Sequence, residues 1–124
     1  MNLRIADAGG LVAFLHRVIV GSGRPLFHQG ELEVVAIDGR VFFHRADPVT
    51  VGGPYRSVEA LVRSEGIRRY ALDGDPSAEE PAAEVFEWES GFFRVEGDGG
   101  GIVRQYADLE TAVRGVGGVA LDGS

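Results

Sequence analysis

The sequence predicts one compact α+β domain over residues 1–124, mainly antiparallel sheet with helices on one face, containing a ββαβ unit used twice, at 31–74 and 82–123. Three observations carry this expectation. Short apolar runs are separated by Asp-Gly and Ser-Gly turn signals. A helical run with a capping residue follows each pair of strands. Marker residues also recur in one order: Tyr55 corresponds to Tyr106, Glu59 to Glu110, Arg63 to Arg114, and Ala71-Leu72-Asp73-Gly74 to Ala120-Leu121-Asp122-Gly123. The offsets drift between 49 and 52, as loops of changed length would produce. Two units are too few for a solenoid, which needs at least about three to bury its faces, so a closed domain is expected.

Taken in order, Leu3–Ile5 is a short strand candidate, and Asp7 can cap a helix from Ala8 to about Val18. Leu11, Phe14, Leu15 and Val18 fall on one side of that helix at helical spacing and are expected to face inward. Gly21-Ser22-Gly23 and Pro25 end it, although Val18-Ile19-Val20 could instead pair as a strand. Leu32–Ile37 and Arg40–His44 flank Asp38-Gly39, which suits a type I′ hairpin turn. Ser57 caps a helix with Val58, Leu61 and Val62 inward and Gly66 as its stop, and Ile67–Leu72 follows as a strand. The plan then repeats. Glu84–Glu89 and Phe92–Val95 flank Ser90-Gly91, Asp108 caps a helix with Leu109, Ala112 and Val113 inward, and Val119–Leu121 closes the chain. An alternative groups the first 74 residues as β-α-β-β-α-β, a ferredoxin-like core with a C-terminal extension.

At 124 residues the chain can bury about two thirds of its unfolded surface, enough for a core without cross-links. It has no cysteine, which excludes disulfides, thiolate metal ligands and a thiol nucleophile. All twelve basic residues are arginine, so a lysine Schiff base and a phosphate-loop lysine are excluded too. The apolar run Leu11–Val20 is about half a bilayer span and contains His16 and Arg17, and no basic-then-apolar leader precedes it. A cytoplasmic protein without membrane contact is expected.

Charge is distributed unevenly. From Asp73 to Asp98 nine acids face one base, Arg94, while the net charge of the whole chain is −7. Nucleic-acid binding, which needs cations to displace counterions from phosphates, is not expected of such a chain. An electronegative surface formed by the 75–81 loop and the outward face of the second hairpin is expected instead. Asp75, Glu79, Glu80, Glu84, Glu87 and Glu89 are its candidate partner-binding residues, with Trp88 on the core side of the same strand. Such a patch attracts a basic protein over a distance. It could equally be a solvated loop beside a strand charged against aggregation.

Other constellations are weaker. His28 and His44 would approach if Phe27–Leu32 paired with Val41–Arg45, with Glu31 adding a carboxylate, but the local spacing typical of zinc ligands is missing, and no metal or cofactor is expected. Gly21-Ser22-Gly23-Arg24 and the Gly97–Gly101 run lack the residues of nucleotide-binding loops. Arg56, Arg63, Arg68 and Arg69 could gather round an anion, though cations near helix ends are ordinary. No nucleophile motif is present, so no catalytic residue is assigned.

Three functions are therefore expected as alternatives. The first is a non-catalytic module docking a basic protein, with the compact, cysteine-free, charge-asymmetric build of small acidic inhibitors and immunity proteins that neutralise nuclease toxins. That resemblance is one of composition. The second is a small-molecule or sensor domain with a cleft between the units, lined by Tyr55 and Tyr106. The third is a self-associating domain, a homodimer pairing strand edges at Phe42-Phe43 or Phe92-Phe93.

Overall fold

The computed structural model describes residues 8–72, 83–96 and 102–121. Helix α1 (Ala8–Ser22) leads into strands β1 (Arg24–Gln29), β2 (Leu32–Ile37), β3 (Arg40–Ala46) and β4 (Val49–Tyr55). Helix α2 (Val58–Glu65) leads into β5 (Ile67–Leu72), β6 (Ala83–Trp88), β7 (Gly91–Glu96) and β8 (Ile102–Tyr106), followed by α3 (Leu109–Arg114) and β9 (Val119–Leu121). The α+β class is as predicted, and every ladder is antiparallel. There are two sheets rather than one, ordered β1-β2-β3-β4 and β5-β6-β7-β8-β9. The first is a plain meander, and β5 belongs to the second, so the first 74 residues do not adopt the ferredoxin-like order. The Leu3–Ile5 strand and the Asp7 cap lie outside the described residues.

The sheets separate at α2. Its amphipathic sequence buries Val58, Leu61 and Val62 completely, between a face of each sheet. Leu32, Val34, Val41 and Phe43 come from the first sheet and Phe86, Trp88, Phe93 and Val95 from the second. Across this core the Phe43 and Trp88 rings meet edge-on at 5.5 Å, and Phe27 and Phe93 lie 5.8 Å apart. The other face of the first sheet carries α1, and the other face of the second carries α3 over Val85 and Tyr106. Helices therefore lie outside both sheets and between them, not on one face.

The recurrence is visible in the backbone, in a different phase from the ββαβ expected. Each sheet begins with a helix and continues as a four-strand meander, because β4 and β8 add a third strand before each helix cap. β1 skips a residue against β2 between Pro25 and Phe27, and β5 does so against β6 between Arg68 and Tyr70, the equivalent place. Gly23 and Gly66 close the two leading helices with N–H bonds to Ile19 O at 2.9 Å and Val62 O at 2.8 Å. Left-handed Asp38-Gly39 is matched by left-handed Glu89-Ser90, so the second turn falls one residue before the Ser90-Gly91 expected. Ser57 and Asp108 both cap, accepting from Ala60 N at 3.1 Å and Thr111 N at 2.8 Å. β5 departs from β4 to found a second sheet, whereas β9 pairs with β8.

Two further expectations change. Val18-Ile19-Val20 are helical, and α1 runs to Ser22. Ile19 is its buried residue, while Leu11, Phe14 and Val18 face outward. A helix apolar on every side does not reveal from spacing alone which side is covered. Phe42-Phe43 and Phe92-Phe93 lie on β3 and β7, which are hydrogen-bonded on both sides, so neither pair offers a free edge for dimerisation.

Candidate functional site

The acids expected on one outward face divide into three groups. Asp75, Glu79 and Glu80 lie outside the described residues. Glu84 points inward, on the same side of β6 as Phe86 and Trp88, and is only 7% exposed. It is charge-compensated there by Arg63 from α2 at 2.8 Å and Arg68 from β5 at 3.2 Å. Arg63 also binds Glu59 at 2.9 Å and lies over the Phe86 ring, 5.3 Å from its centroid. Burial alone would lower the Arg63 pKa, but hydrogen bonds and attraction from Glu59 and Glu84 outweigh it and raise it.

Glu87 and Glu89 are more exposed, and each has an arginine nearby: Arg69 at 2.9 Å from Glu87, and Arg45 of the first sheet at 3.9 Å from Glu89. Glu96 pairs with Arg94, which also donates to the last carbonyls of α3, Ala112 O at 2.9 Å and Val113 O at 2.7 Å. Charge segregated in sequence is thus partly neutralised in space: β5, paired with β6, supplies Arg68 and Arg69, α2 packed on the same sheet supplies Arg63, the first sheet supplies Arg45, and Arg94 meets Glu96 on its own strand. Arg63, Arg68 and Arg69 are occupied by these carboxylates, away from the anion-binding role considered for them.

His28 and His44 do come together, but across β2 rather than by direct pairing of their own strands. β1 and β3 flank β2, so His28, Glu33 and His44 form a row across three strands. The two oxygens of Glu33 reach His28 Nε2 at 3.3 Å and His44 Nε2 at 3.0 Å. His16 of α1 meets the His44 ring edge-on at 5.3 Å, and its buried Nε2 has no hydrogen-bond partner among the described residues. The carboxylate between the histidines is Glu33, not Glu31. The alternation of Leu32-Glu33-Val34 could have shown that Glu33 leaves the core face, but only the strand order reveals its neighbours. Among the described residues no group of three such side chains is placed to hold a metal ion.

Tyr55 and Tyr106 do end equivalent strands, β4 and β8, yet they lie in separate environments. Tyr55 stacks on Phe43 at 6.3 Å and donates to Glu65 Oε2 at 2.9 Å. Burial, then the Glu65 carboxylate, pushes its phenol up to about 12. Tyr106 is buried under α3 with Val85 and Ala112. Two open grooves border other residues. One, of about 640 Å³, runs from Ser22 and Arg24 to the Asp38-Gly39 turn, and one of about 410 Å³ lies between Arg56 and Arg63.

Among the described residues, no helix is long and apolar enough to cross a membrane. No family model, curated protein or solved structure matches the chain.

Proposed function

We propose that the chain is a non-catalytic protein-binding module that docks a basic protein partner, with the acidic connection 73–82 at the centre of the contact. One observation carries this reading. β1 and β2 join through two residues, whereas the equivalent β5 and β6 join through ten, and those ten hold Asp73, Asp75, Glu79 and Glu80 with no arginine. Glu84, Glu87, Glu89 and Glu96 have arginines beside them and contribute less to the outward field. The connection, with four acids and no arginine in its own sequence, is the part by which the second unit most exceeds the first in acidic residues. An inhibitor or immunity-type role fits the same chemistry, with carboxylates taking the place of phosphates at a basic active site.

Long-range attraction of this kind speeds encounter and weakens as salt rises. Reversing Asp75, Glu79 and Glu80 to arginine is expected to slow association with a partner captured from the native lysate by about tenfold or more at low salt. Reversing three exposed acids elsewhere, Glu31, Asp47 and Glu110, alters the net charge equally and is expected to have a much smaller effect. Equal effects from the two triple variants, measured by surface plasmon resonance, would show that net charge alone acts and would dismiss the connection as the contact. A cleft lined by Tyr55 and Tyr106 has less support, since the rings pack in different clusters and border neither groove.

A further inference from the structure

We infer that the outward side of α1 is the surface through which two copies of this chain associate. Leu11, Phe14 and Val18 are 37%, 53% and 44% exposed. Their spacing of three and then four residues sets them in one stripe along the helix. The opposite side of α1 is already used, with Ile19 buried and His16 against His44 of the first sheet.

The recurrence shows that the equivalent position of α2 is covered by protein. Gly23 and Gly66 end the leading helices at equivalent points, so Ile19 corresponds to Val62 and Val18 to Leu61. Ile19 and Val62 are both buried, Ile19 at 6% exposure and Val62 at 0%. Leu61, also at 0%, is covered because α2 has protein on both sides. Counted from its Asp108 cap, as Leu61 is from Ser57, the α3 position is Ala112, buried against the second sheet. Val18 is left open where its α2 equivalent, Leu61, is covered.

A second copy fits as the occupant for two reasons. The outer face of each sheet in a neighbouring molecule already carries a helix, α1 or α3, so the matching apolar stripe it can offer is its own α1. Electrostatics points the same way. The chain carries a net charge of −7, which opposes self-association over most of its surface, but Ala8–Ser22 contains no acid and one formal charge, Arg17. A two-fold axis would lay Leu11, Phe14 and Val18 of each copy against the same residues of the other, the self-complementary contact of a cyclic dimer. Ile67, Ile102, Val116 and Val119 are also exposed, but they lie on different segments and form no comparable helical stripe.

Sedimentation equilibrium of the full chain, from micromolar to near-millimolar concentration, tests this. The expected mass is twice that of the chain. Phe14→Glu and Val18→Glu are expected to raise the dimer dissociation constant by about a hundredfold or more, since each buries two facing carboxylates, with circular dichroism unchanged. Val119→Glu, at a still more exposed position on β9, is expected to leave it within about threefold. A second readout does not depend on a disruptive substitution. The chain has no cysteine, so F14C should give a covalent dimer on mild oxidation faster than V119C does. A monomer throughout the range, a dimer insensitive to both α1 substitutions, or equal cross-linking of the two cysteine variants would each overturn the proposal. A monomer in which Phe14→Glu instead abolished binding to a different protein would assign the stripe to that partner.

Discussion

Glu84 shows how far a single residue can depart from its neighbourhood in sequence. It sits among acids, yet it is buried, and arginines contributed by α2 and β5 pair with it inside the protein. Its equivalent in the first sheet, Glu33, answers the same strand position with histidines. Tyr55 offers a prediction at this scale. Its folded phenol is raised to about 12, while in the unfolded chain it titrates near its ordinary value of 10.0. Between those values the unfolded chain releases the proton and the folded chain retains it, so rising pH favours unfolding. The Tyr55 contribution is whole below pH 10.0 and lost as pH rises through about 12. Tyr55→Phe is therefore expected to flatten the alkaline fall in urea-unfolding stability over that window, and an unaltered slope would refute the raised phenol.

At the scale of elements, the hairpins and the edge strands β5 and β9 were legible, whereas β1, β4 and β8 were not. Asp38-Gly39 marked its turn because left-handed backbone suits those residues. Glu89 and Ser90 take the same left-handed turn without a glycine, at φ 50° and 65°, while Gly91 is the first residue of β7. Ser90→Gly is expected to raise stability by about 1 kcal/mol, measured by urea denaturation, because it relieves the left-handed penalty at that position. No gain would mean that the Ser90 side chain offsets the strain. β1 and β4 were hidden by Pro25 and by Gly52-Gly53-Pro54, which read as breakers in a linear sequence. Both are edge strands, where a missing N–H need not interrupt a ladder.

At the scale of the whole molecule, the sheets are joined by polar contacts as well as by the aromatic core. Gln105 Nε2 donates to His28 O and Gln29 Oε1, both at 2.8 Å, and Gln29 Nε2 donates to Glu89 O at 3.1 Å. Gly91 makes room for this seam, since a Cβ there would overlap the Gln29 amide. Gly91→Ala is expected to destabilise the fold by about 1–2 kcal/mol. Adding it to Gln29→Ala should cost less than the sum of the two single effects, because the clash is then gone. Strict additivity in urea denaturation would show that Gln29 is not what Gly91 accommodates.

The sequence by itself determined the α+β class, the central hairpins, both helix caps and the repeated order of markers. These depend on local periodicity and turn chemistry, which neighbouring residues carry. Tertiary structure decided how many sheets form, which side of α1 is covered, and which charges meet. Those outcomes follow from strand order and packing between segments far apart in the chain. Glu84 could be read as part of an acidic run, but not as the buried partner of Arg63 and Arg68, because only the fold brings a strand of the second sheet beneath α2.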